Sequence, residues 1–180
     1  MRKYEFTGET IEVGFKTLHR IRALRDFGDV KKGDLGGFIQ GESNLSHDGN
    51  CWVGGKAKVY DDAKVYENAQ VYSYAYVYDN SRIYGKAEVF DEPCIYGHAE
   101  VYGDAYICGE PNVFDNAEVY GNAQVYGEAY IYDRARVYGN AEVSGDAHVY
   151  GHAKIYGEAC VCWDDWIDGD KRISTREQTR

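Results

Sequence analysis

From Val59 onward the chain keeps a period of six residues, and few folds can accept one. VYDDAK, VYENAQ, VYSYAY and VYDNSR follow one another without a gap, and the frame persists to VCWDDW at 161–166, eighteen units in all. The first position is Val or Ile in every unit, thirteen times Val and five times Ile. The fifth is Ala in fourteen units, with Ser81, Pro93, Pro111 and Asp165 as the exceptions. Neither the face of a helix nor a long open sheet puts a small residue at a fixed six-residue spacing. A short strand followed by a tight corner does. Within Ala-x-Val-Tyr, side chains alternate in, out, in, out. The third and fourth positions are mostly Gly, Asp, Asn, Glu, Lys or His, residues of turns and solvent. Three strands and three corners close a triangular coil of eighteen residues, filled by Val, Ile and Ala. Such coils stack at the strand spacing of about 4.8 Å.

The gapless pattern [VI]-x-x-x-A-x resembles that of the hexapeptide-repeat, left-handed β-helix superfamily. The likeness covers roughly two-thirds of the chain. It implies left-handed coiling, which the residues alone do not specify, since parallel crossovers are generally right-handed. It implies little about activity, because one fold hosts many functions. The expected fold is therefore all-β, a single-domain left-handed parallel β-helix of about seven triangular eighteen-residue coils spanning residues 39–162. Ile39, Leu45 and Cys51 keep the six-residue spacing, and the interval of eight from Cys51 to Val59 predicts a bulge near Trp52–Gly55. The segments YEFTGETIEVG and KTLHRIRALRDF alternate like a hairpin, so residues 1–38 are expected to form a small N-terminal β-hairpin cap over the open end. Residues 163–180 are expected to be a C-terminal cap, with Trp163, Trp166 and Ile167 folded over the last coil, followed by a polar tail. The stretch RIRALRDFGDVKKGDLGGFI…NLSHDGNCWV ahead of VY-rich repeats is similar to a group of uncharacterised bacterial and phage VYGxA-repeat proteins, a likeness that brings no established activity.

Stacking at eighteen residues turns each outward position into a column. One column is Tyr throughout: Tyr66, Tyr84, Tyr102, Tyr120, Tyr138 and Tyr156. A second is Tyr60, Tyr78, Tyr96, Phe114, Tyr132 and Tyr150, and the third is broken, Tyr72, Phe90, Cys108, Tyr126, Ser144 and Cys162. Thirteen of the eighteen slots in these three columns are thus Tyr. Offset stacking is a sufficient structural reason for such ladders, each pair contributing about 0.5–1.5 kcal/mol. Tyr also provides large contact area at low entropy cost, which makes a continuous column a candidate partner surface. Beside the all-Tyr column runs a charged one, Lys64, Arg82, Glu100, Glu118, Arg136 and Lys154. Arg82–Glu100 and Glu118–Arg136 can pair between coils, while Glu100 and Glu118 are like charges on which a partner's cation could act. The face holding the all-Tyr column, Glu100 and Glu118 is the expected interface, for a protein partner or for self-association into a homo-oligomer. Pro93 and Pro111 sit on adjacent coils, and each is expected to remove an N–H from a ladder.

Charge narrows the partners further. The net charge is −10, and residues 51–162 hold eight Lys/Arg against seventeen Asp/Glu, a net of −9. Direct binding of nucleic acid or an anionic membrane is not expected, because phosphate contacts need a basic surface. An acidic rod could instead meet a basic groove, as an inhibitor of a host nucleic-acid-binding protein encoded by a phage or mobile element would. The start MRKYEFTGET lacks an apolar export segment, and five Cys in such a chain read as free thiols, so a cytoplasmic location is expected.

The rival expectation is an acyltransferase acting at a subunit interface, an activity common in the superfamily that the repeat resembles. It needs a general base, typically His, and a pocket. His98 and His152 share a corner column but lie three coils apart, about 14 Å. His148 points outward from a strand, and His19 and His47 belong to the leading region. The uninterrupted units leave no loop to shape a pocket. For a metal, His148 and His152 lack a converging third ligand, and Cys160 with Cys162 is a weak metal or redox signal. No catalytic residue, metal site or cofactor is assigned.

Overall fold

The structure, a computed structural model, describes residues 2–175. Each Ala-x-Val-Tyr segment forms a two-residue strand at x-Val, and each strand from Gln70–Val71 to Lys154–Ile155 pairs in parallel with those eighteen residues before and after. Glu100–Val101, for instance, lies between Arg82–Ile83 and Glu118–Val119. Three sheets result. The hairpin sheet has ten strands, while the tyrosine sheet, which begins at Lys64–Val65, and the mixed sheet, which begins at Trp52–Val53, have seven each. The chain is one all-β parallel solenoid of about eight turns around one continuous core, and it contains no α-helix among the described residues.

The core is as narrow as the repeat requires. Every Val or Ile of the first position and every Ala of the fifth is buried. Ser81, in an Ala slot, is also fully buried; its hydroxyl donates to the carbonyls of Tyr78 at 2.8 Å and Ile95 at 3.3 Å, so no polar group is left stranded. The backbone ladder continues into the corners, where the fourth-position N–H donates to the third-position carbonyl of the next coil, as Asn80 does to Gly97 at 2.8 Å.

Corners turn on their third residue, which has positive φ in all eighteen units. Gly85 shows why Gly is favoured: φ is +74°, and a Cβ there would meet the Gly103 nitrogen at 2.7 Å. Where Asp occupies this position, the side chain has a second task. The third-position N–H has no partner in the ladder, and the carboxylate one coil back accepts it: Asp79 from Gly97 at 3.2 Å, Asp91 from Gly109 at 3.1 Å, Asp133 from Gly151 at 3.0 Å. Asp at these corners thus closes an otherwise open donor, beyond its general tolerance of turns.

The two Pro do not disturb the ladder. In the fifth position an N–H makes only a local turn bond, as Ala63 does to the Tyr60 carbonyl at 3.3 Å. Pro93 and Pro111 forgo that bond alone, and their carbonyls still accept from Tyr76 at 2.9 Å and Cys94 at 3.0 Å. The expected loss of a ladder N–H does not occur, because the ring occupies a slot whose N–H lies outside the ladder.

At the N-terminal end β1 (Tyr4–Val13) and β2 (Lys16–Ala23) form an antiparallel hairpin. β2 pairs antiparallel with β3 (Leu35–Ile39), and β3 pairs in parallel with Lys58–Val59. The hairpin therefore prolongs one of the three sheets. The interior beneath it holds Lys3, whose ammonium donates to the Cys51 carbonyl at 2.8 Å and contacts Cys51 Sγ at 3.1 Å. Burial lowers the Lys3 pKa, and the Cys51 thiol partly offsets this.

The first coil corrects one sequence expectation. Trp52–Val53 pairs with Gln70–Val71 at the regular spacing of eighteen, which puts Cys51 in an Ala slot and Val53 in frame. The pairings Ile39↔Val59 and Leu45↔Val65 are separated by twenty. The two extra residues thus lie between Leu45 and Cys51, in the loop around Ser46–Asn50, and Trp52–Gly55 is regular. At the other end the ladder runs on past residue 162. Trp166–Ile167 pairs with His148–Val149, and Arg172–Ile173 with Lys154–Ile155. The last part of the polar tail, residues 176–180, lies outside the described residues.

Candidate functional site: the tyrosine face

The tyrosine sheet brings Tyr66, Tyr84, Tyr102, Tyr120, Tyr138 and Tyr156 into one stack. Successive ring centroids are 4.9, 4.8, 4.8, 4.9 and 5.2 Å apart, with interplanar angles of 8° or less. These are offset-stacked pairs at the spacing of the strands. Each ring is half-buried, so the column presents ring edges and one flank to solvent.

The hydroxyls lean over the neighbouring charged column and knit it to the rings. Tyr84 donates to Glu100 Oε2 at 3.0 Å and Tyr102 to Glu118 Oε2 at 3.3 Å. The same carboxylates meet Arg82 at 3.5 Å and Arg136 at 3.0 Å. Glu100 and Glu118 are directly opposite in register, a repulsive placement. Each is offset by one guanidinium and one phenol, Arg82 and Tyr84 for Glu100, Arg136 and Tyr102 for Glu118. Burial, then the hydrogen bond from its hydroxyl to Glu100, holds Tyr84 well above the ordinary phenol range. Tyr102 is pushed up to about 12 by burial first and by the Glu118 charge second. Burial likewise raises Tyr66 and Tyr120.

The other two faces differ. The hairpin face stacks Tyr60, Tyr78, Tyr96, Phe114, Tyr132 and Tyr150 at 4.9–5.1 Å. Its first ring is covered by the protein itself: Tyr60 is only 8% exposed, clusters with Leu18 and Phe38, and lies under the Lys16 ammonium. The mixed face has one stacked pair in its aromatic column, Tyr72–Phe90 at 5.6 Å, before Cys108 interrupts it.

The histidines are dispersed. His98 and His152 are exposed at corners, and His152 Nδ1 lies 3.6 Å from Asp170. His148 is sandwiched between Tyr130 at 4.6 Å and Trp166 at 3.9 Å. His47 stacks on Tyr4 at 4.3 Å beneath the leading strands, and His19 lies against Phe6 at 5.0 Å. Among the described residues no group of three or more His, Cys, Asp or Glu converges as a metal site would require. Among them also no helix is long and apolar enough to cross a membrane.

Sequence reasoning missed two features of this face. One is the phenol–carboxylate link, which depends on ring tilt. The other is Arg172, which extends the charged column through its pairing with Lys154. Its signal was available, because Val161, Ile167 and Ile173 keep the six-residue spacing.

Residues 129–145 and 135–151 match a family model described as the YdcK beta solenoid repeat. The chain is thus similar, over that part of its coils, to a family of β-solenoid repeats, in keeping with the architecture above. Among curated proteins none matches the chain.

Proposed function

We propose that this protein works by contact, as a protein-binding or structural solenoid whose interface is the tyrosine face. The observation that carries this reading is the six-ring stack on that face, unbroken and not overlaid by any segment of the hairpin that covers Tyr60. A rigid row of ring edges loses little side-chain entropy on contact, and aromatic rows of this length are uncommon on isolated monomers. Tyr66, Tyr84, Tyr102, Tyr120, Tyr138 and Tyr156 would provide the contact area. Glu100 and Glu118, already held by Arg82 and Arg136, would set register at its edge. The partner is a protein, either a second copy of this chain or a surface with basic character that suits the net of −9 over residues 51–162.

A sharper form of this reading is a phage-encoded or mobile-element-encoded inhibitor that occupies the basic groove of a host nucleic-acid-binding protein; the acidity of the repeat region supports it. Light scattering and affinity capture from the native host, with wild type against Tyr102→Ser/Tyr120→Ser, test the proposal. Loss of self-association or of a captured protein in the variant is the expected result. A wild type that is already monomeric and retains the same proteins as the variant would overturn it. For the sharper form, capture must weaken steeply with salt.

A further inference from the structure

The C-terminal end of the tyrosine face departs from the charge pairing of its middle. Arg136 is opposite Lys154 in the parallel register, and Lys154 is opposite Arg172. Three cations therefore follow one another on adjacent rungs, where like charges directly opposite are destabilising. Arg134 and His152, on the neighbouring corner, line the same depression, together with Asp170. Its volume is about 530 Å³, well inside the range of small-ligand sites. Arg136 reaches Glu118, but among the described residues Arg134, Lys154 and Arg172 make no ion pair. The depression is thus lined by four Lys/Arg and a single Asp, on a chain whose net charge is −10.

We infer that this depression binds a compact phosphoryl anion of the diphosphate class. Guanidinium forks and a lysine ammonium are matched to phosphate oxygens, and a multiply charged anion relieves the repulsion along the column in a way that a single carboxylate would not. The boundaries of the patch argue against an extended polyanion. Glu118 and Glu100 follow toward the N-terminal end of the column, and Asp133 and Asp115 flank Arg134 on the corner. A nucleic-acid strand leaving the depression in those directions would meet carboxylates, whereas a small anion would not. The inference stands on the charged column and its depression, so it is independent of the partner proposed for the Tyr rings.

The test is calorimetric titration of the full chain at low salt with sodium pyrophosphate, against sodium chloride of equal ionic strength, followed by thermal unfolding under the same conditions. Pyrophosphate should bind with a stoichiometry of one and raise Tm beyond chloride. Inorganic phosphate should bind at the same place more weakly. Lys154→Gln/Arg172→Gln should weaken pyrophosphate at least tenfold and raise Tm in the absence of anion, because the like-charge contacts are gone. Lys64→Gln, at the far end of the same column, should leave binding unchanged. Arg134→Gln, which removes a corner cation and no rung contact, provides the same test should the double variant lose its native circular dichroism spectrum. Heats and Tm shifts equal to those of chloride, undiminished binding in the variants, or tighter binding of a single-stranded oligonucleotide than of pyrophosphate would each overturn the inference.

Discussion

The tyrosine face and the mixed face of this solenoid share one backbone and differ in what they hang on it. Tyr120 N–H donates to the Val137 carbonyl at 2.9 Å on the first, and Cys108 N–H donates to the Val125 carbonyl at 3.0 Å on the second. The ladder is thus equally sound where the ring is missing. On the mixed face Phe90, with no ring above it in its column, tilts toward Tyr106 at 5.8 Å and 35°. Ser144 and Cys162 continue the same column beyond Tyr126 without a ring of their own. The coil therefore does not require an aromatic residue after each strand. Six rings kept in a row on one face add stability that the fold could do without, and they build a continuous surface. The comparison separates what closes the coil, Val, Ala and the positive-φ corner, from what decorates it.

Alkaline pH should break the comparison with the largest effect, because it acts on four successive rings of the tyrosine column, Tyr66, Tyr84, Tyr102 and Tyr120. An ordinary phenol ionises near pH 10, whereas Tyr102 is pushed up to about 12 and Tyr66, Tyr84 and Tyr120 are raised as well. Between those pH values the unfolded chain has released protons that the folded chain still holds. The stabilisation from this column is therefore complete below about pH 10 and is lost as pH rises toward the folded-state values. Absorbance titration of the phenols should lag behind that of the denatured protein, and Tm should fall steeply over the same interval.

Single rings come next. Tyr102→Ser removes two stacked contacts and the bond to Glu118, and should cost about 2 kcal/mol. Tyr126→Ser, between Cys108 and Ser144, should cost about 1 kcal/mol or less; urea unfolding of the pair measures the difference. Cys108→Tyr fills the gap above Phe90 and should stabilise by about 0.5–1 kcal/mol through new stacking, seen as a rise in Tm. The smallest effect belongs to Glu100→Gln. It removes the repulsion with Glu118 but also the pair with Arg82, and for exposed charges the two changes nearly cancel, leaving a change within about 0.5 kcal/mol.

Much of this could be read from the residues because the interior is narrow. A slot that accepts only Val or Ile announces itself eighteen times over, and the eighteen-residue turn then places Tyr84 over Tyr66 without further information. The reading failed where a slot was filled by an unusual residue. Cys51 occupies an Ala slot but was placed in the Val frame, which moved the insertion from the loop before it to Trp52–Gly55. Asp165 in an Ala slot and Trp163 at a positive-φ corner disguised the eighth turn, and with it Arg172 and the cationic end of the column. The union of β2 with β3 was not legible at all, since it depends on the fit of Leu18 and Phe38 against Tyr60, a contact between residues distant in the chain. The phenol–carboxylate bonds are set by ring tilt, which has no signature in a repeat.

The most direct test places one negative charge on each face in turn, Tyr102→Glu, Tyr126→Glu and Tyr132→Glu, and follows association by sedimentation velocity, with wild type and with any partner retained from the host. Loss of association for Tyr102→Glu alone, with the other two behaving as wild type, is the result expected if the tyrosine face is the contact surface. Association that survives Tyr102→Glu, or that fails equally for all three, would contradict it.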